Sequence, residues 1–123
     1  MNLVDSSGWL EYFTDSKNAR YFAPIIENTK KLIVSTINLY EVYKKILKGR
    51  NENAALEAAG LMQQCKIIDV SKSIAIQAAK TSFELEIPMA DSIIYITARQ
   101  NDAVVWTQDY DFKNLDGVKF FMK

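Results

Sequence analysis

The carboxylates of this chain are the residues whose types and places in the sequence point to chemistry. Asp5, Glu41, Asp91 and Asp109 each lie close to an apolar run, and Asp111 follows Asp109 by two residues. The 123 residues contain no His, which excludes a Ser-His-Asp triad, a Cys-His pair and phosphodiester cleavage by paired histidines. The single Cys65 has no partner for an internal disulfide and, without His, cannot anchor a tetrahedral zinc site. Carboxylates, hydroxyls, lysines and hard cations bound through oxygen are what remains. Carboxylates packed within a few ångströms raise one another's pKa or recruit a cation. Oxygen-only ligation selects Mg2+ or Mn2+, ions that supply an activated water and stabilise the attacking and leaving oxygens of a phosphodiester.

These acids must be positioned by a frame, and the apolar pattern describes one. Leu3-Val4 reads as a buried strand, closed by Asp5-Ser6-Ser7-Gly8 ahead of a helix through Trp9 and Phe13. A helix follows from about Ala19 to Asn28, then a strand at Leu32-Ile33-Val34. Ser35 or Thr36 caps a helix that runs to about Lys48 and stops at Gly49. Its apolar side carries Leu39, Val42, Tyr43, Ile46 and Leu47, while Glu41, Lys44, Lys45 and Lys48 share another. Helical patterns recur from about Asn53 to Gln64 and from Ser73 to Glu86, around the short apolar run Ile67-Ile68 and Val70. Pro88 breaks the chain, and Asp91 opens a helix that is apolar nearly all round from Ile93 to Ala98. Ala103 to Trp106 is a strand ending in the polar corner Thr107-Gln108-Asp109, and Val118 to Phe121 is the last strand.

Continuous apolar strands separated by helices predict an α/β fold with a parallel sheet covered on both faces. No repeat or linker divides residues 1–123, so one domain is expected. Ligands of such sheets sit beyond the carboxyl ends of the strands, where strand order reverses. Asp5 and Asp109 stand at strand ends, and Glu41 and Asp91 in early helical turns, so four acids can meet at one rim. Taken singly, each also has a structural role: Asp5 and Asp91 as helix caps, Glu41 paired with Lys44 or Lys45, Asp109 and Asp111 as turn formers. Trp9, Trp106, Met62, Met89 and Cys65 read as packing residues.

Net charge is zero, with 15 basic and 15 acidic residues, but the two signs are segregated. Lys30 to Arg50 holds six basic residues and Glu41 alone among acids, whereas Thr81 to Asp116 holds seven acids against Arg99 and Lys113. One stretch is suited to steering a polyanion and the other to gathering carboxylates, and solvated faces that happen to segregate are the other reading of the same pattern. Nothing approaches the roughly 18 consecutive apolar residues of a membrane helix, and Asn2 and Asp5 interrupt any signal peptide. A reducing, cytoplasmic setting is expected.

Four segments together resemble the PIN-domain ribonucleases, and among them the VapC-type toxins of bacterial toxin-antitoxin pairs. They are Leu3 to Phe13, Val34 to Val42, Ile87 to Ile94 and Val105 to Phe112, in that order. The resemblance implies a three-layer α/β/α sandwich around a parallel sheet and Mg2+- or Mn2+-dependent cleavage of RNA. It also implies a homodimer and a small cognate antitoxin as partner. Carried over by position, it makes Asp5 and Asp91 metal ligands, with Glu41 and Asp109 completing the acidic set. Ser6, Thr107 and Asp111 are left as supporting groups, Asp111 competing with Asp109 for the fourth place. Two other readings stand beside it. A phosphotransfer module of receiver or haloacid-dehalogenase type also puts Asp at strand ends, although Ser7 stands where dehalogenase-type phosphatases usually carry a second Asp. The other is a non-catalytic interaction module whose acids cap helices.

Overall fold

The computed structural model describes residues 1–123. Five short strands, β1 (Asn2–Val4), β2 (Leu32–Ser35), β3 (Lys66–Ile68), β4 (Val104–Thr107) and β5 (Val118–Phe120), form one sheet. All neighbours are parallel and the order is β3-β2-β1-β4-β5. Between them run α1 (Ser6–Phe13), α2 (Ala19–Ile26), α3 (Thr36–Gly49), α4 (Glu52–Met62), α5 (Lys72–Leu85) and α6 (Met89–Gln100).

Alternation within the strands builds two cores. Val4, Leu32 and Val34 pack with Trp9, Phe22, Val42, Ala58 and Met62 on one face of the sheet. Leu3, Ile33 and Val105 pack with Ile74, Ala78, Ile94 and Ala98 on the other. Both faces are therefore covered, which is why the strands read as unbroken apolar runs. This is the expected three-layer α/β/α sandwich.

The order of the strands fixes where a site can lie. From β1 the chain moves outward through β2 to β3, then returns to the other side of β1 as β4 and continues to β5. The reversal falls between β1 and β4, whose carboxyl ends carry Asp5 and the Thr107–Asp109 corner. Backbone pairing continues to this rim, where the Asp5 amide donates to the Trp106 carbonyl at 3.1 Å.

Several local expectations need correction. Asp91 does not open its helix: Pro88 is the N-cap residue, Met89 begins α6, and Asp91 is its third residue. Proline suits a helix start because its φ is preset and it has no amide to leave unpaired. Asp91 is thereby released from capping. Met89 is 70 % exposed rather than packed, because it sits on the outer side of that first turn. Leu47 is 43 % exposed, since the core-facing stripe of α3 runs through Val42 and Ile46 and leaves Leu47 to its side.

Candidate metal centre

Asp5 caps α1, its carboxylate accepting from the Gly8 amide at 3.1 Å and from the Ser7 hydroxyl at 2.8 and 3.0 Å. The Asp5 side chain is only 2 % exposed. Its pKa is raised to about 6, chiefly by burial; the bonds from Ser7, Gly8 and Thr107 pull it down, and Asp109 pushes it up. Capping and a role in an acidic centre are therefore not exclusive at this residue.

Across the switch point, Thr107 ends β4 with its side chain fully buried, and its Oγ1 accepts the Asp109 amide at 2.9 Å. One carboxylate oxygen of Asp109 in turn accepts the Asp111 amide at 2.9 Å, starting a single 3₁₀ turn over Tyr110–Phe112. That turn is pinned by Phe112, which is completely buried in the second core. It folds Asp111 back toward α6. Carboxylate oxygens of Asp91, Asp109 and Asp111 consequently lie within 4.8 Å of one another.

Asp91 bears the electrostatic consequence. Its pKa is raised to about 8, first by burial, then by a hydrogen bond with Asp111 and by the charges of Asp109, Asp111 and Asp5. A carboxyl that holds its proton to such a pH marks an uncompensated concentration of negative charge. The donor set is all oxygen, closely spaced and deficient in positive charge, so it fits a hard divalent cation.

The sequence-selected residues are thus divided. Asp91, Asp109 and Asp111 form the cluster, and Asp5 is near enough to shift Asp91 and to be shifted by Asp109. Asp109 and Asp111 are both in it. Glu41 is not in the cluster. It sits in the second turn of α3, where its Oε1 accepts from the Ser6 hydroxyl at 2.7 Å. Ser6 accepts in turn from Asn38 Nδ2 at 3.1 Å, and Asn38 Oδ1 accepts the Ser35 amide. Glu41 is therefore tied to the residue next to Asp5 rather than to the cluster itself.

Three supporting residues escaped the sequence reading. Asn38 is fully buried and closes a capping box with Ser35, a Ser-x-x-Asn spacing that was legible. Ser7 holds both oxygens of Asp5. Gln108, 5 % exposed, donates to Glu11 Oε1 at 3.0 Å and accepts from Asn18 at 2.9 Å, fixing the corner before Asp109 against the end of α1; no local signal announces it.

Comparison with known proteins agrees with this architecture. A toxin–antitoxin complex from Klebsiella pneumoniae contains a chain with TM-score 0.82 and 22% identity, each chain covered over 100% of its length. A VapC toxin of Mycobacterium tuberculosis, described as cleaving the sarcin-ricin loop, aligns with TM-score 0.73 and 17% identity over 92% of both chains. DNA-bound VapBC from Salmonella typhimurium gives TM-score 0.75 and 19% identity, over 99% of this chain and 98% of that one. No curated protein sequence matches significantly. The PIN domain family model matches residues 3–118, from the first residues of β1 to the start of β5, and so takes in every acid at the rim. The chain belongs to the PIN domain family.

Proposed function

We propose that this protein is a divalent-cation-dependent endoribonuclease and the toxin of a toxin–antitoxin pair. The observation that carries the reading is the convergence of Asp91, Asp109 and Asp111, with Asp5 beside them, at the switch point of the sheet. Family membership and likeness to chains from toxin–antitoxin complexes support the toxin role. They do not favour the phosphotransfer or interaction-module alternatives.

Asp91, Asp109 and Asp111 would hold Mg2+ or Mn2+, with Asp5 as the neighbouring ligand. Such an ion, when bound, lowers the pKa of a water and offsets charge on a phosphodiester in the transition state. The protein's own residues do the rest. Ser7, Thr107 and the Gly8 amide orient Asp5, and the 3₁₀ turn holds Asp111 against Asp91. Asp91, once ionised, would complete an anionic centre matched to such an ion. Glu41, held by Ser6, lies beside the centre and serves as an outer acid. The substrate is RNA, the partner is a small antitoxin, and a cytoplasmic homodimer is the working form. No helix is long and apolar enough to cross a membrane.

Regulated expression in a bacterium tests the reading. Wild type should arrest growth, and Asp91→Asn and Asp5→Asn should not, at matched abundance. Equal toxicity of the Asn variants would refute the acidic mechanism.

A further inference from the structure

Three lysines of the basic stretch, Lys44, Lys45 and Lys48, come near Ser6, the residue that follows Asp5. There lies an open groove of about 430 Å³, walled by Ser6, Tyr40, Glu41, Lys44, Lys45 and Lys48. Ser6 is the junction: it follows Asp5 directly, and its hydroxyl holds Glu41 on the groove wall. The lysines project from successive turns of one helix face and are exposed, as is Tyr40 at 59 %. Lys44 Nζ donates to the Tyr40 hydroxyl at 3.4 Å and lies 5.5 Å from its ring centroid, so one cation and one aromatic face are already juxtaposed.

Resting on the nuclease reading above, we infer that this groove is the track for single-stranded RNA next to the cleaved bond. Lys44, Lys45 and Lys48 bind backbone phosphates, and Tyr40 offers a face for a base. The chemistry is that of non-sequence-specific single-strand binding, in which cations follow the backbone and aromatic rings accept bases by stacking. Charge segregation makes the arrangement directional. An acidic pole that takes a cation, beside a cationic pole that takes phosphate, holds a polyanion in one register across the rim. Net charge is zero, so the steering is local to this groove.

The test uses the full chain carrying Asp91→Asn, a fluorescein-labelled single-stranded RNA oligonucleotide and a salt titration of anisotropy. Adding Lys44→Gln and Lys48→Gln should weaken binding about tenfold and flatten the slope of log affinity against log salt by roughly 1.4, about 0.7 per phosphate contact. Adding Tyr40→Ala should weaken binding with the slope retained. The charge-matched pair Lys30→Gln and Lys31→Gln, exposed ahead of β2 at the far end of the strands, should bind like the parent. In the cleavage-competent chain, loss at the groove should fall on KM more than on kcat. Three results would overturn the inference: no binding by the parent, an equal effect of the control pair, or displacement of RNA by poly-glutamate of equal charge, which would make the groove a site for acidic peptide. Wild type that binds RNA through these lysines yet never cleaves it would instead refute the nuclease reading and leave the groove standing.

Discussion

At the scale of single residues, Asp91 is where burial and crowding meet. Both Asp5 and Asp91 have folded-state pKa values above the ordinary 3.8, at about 6 and about 8. The folded protein therefore binds protons more tightly than the unfolded chain through this range. Stability from that source is fully present below about pH 4 and declines as pH rises toward 8. In EDTA, Tm should fall between about pH 5 and pH 8, and Asp91→Asn should flatten that fall. Added Mn2+ should raise the wild-type Tm more at the higher pH, because the ion binds the ionised carboxylates. A Tm in EDTA that rises with pH across this window would contradict the electrostatic picture. The residue types were legible in the sequence, since the absence of His removed the commonest acid-base group and the acids stand at strand ends and in early helical turns. Membership of the cluster was not, because a single 3₁₀ turn anchored by Phe112 decides that Asp111 joins Asp109.

At the scale of elements, the first turn of α1 and the start of α3 act as a unit. Gly8 is needed for close approach: a Cβ there would meet Val4 Cγ1 at 2.5 Å and Phe22 Cε1 at 2.8 Å. Gly8→Ala should destabilise the fold by about 1 to 3 kcal/mol, the usual cost of overpacking a filled core, read from urea denaturation. Asn38→Ala removes the capping-box partner and leaves Ser6 without its donor. A cost of about 1 to 2 kcal/mol is expected, together with reduced RNA cleavage by the folded fraction. Unchanged cleavage would show that Glu41 needs no such support. The elements themselves were readable from apolar runs and caps, and Ser35 and Gly49 mark α3 closely. The start of α6 was misplaced because Pro88, not the acid, is its N-cap residue. Exposure of Leu47 and Met89 depends on which neighbours cover which face, information that periodicity alone does not hold.

Over the whole molecule, topology turns a scattered set of acids into a centre. Strand order 3-2-1-4-5 places β1 against β4, so Asp5 and the Thr107 corner, about a hundred residues apart, become neighbours. The parallel sheet and its switch point followed from continuous apolar strands alternating with helices. The separate place of Glu41 did not, because it hangs on a hydroxyl contact spanning 35 residues. The same topology sets the basic face of α3 next to the acidic rim. The most direct test of the central claim is calorimetric titration of the metal-free chain with Mn2+ near pH 7, alongside RNA cleavage by the same samples. Wild type should bind Mn2+ with release of protons and cleave RNA only with the ion present, while Asp91→Asn should lose both. Mn2+ binding unaltered by that substitution, or RNA cleavage that persists in EDTA, would contradict the account.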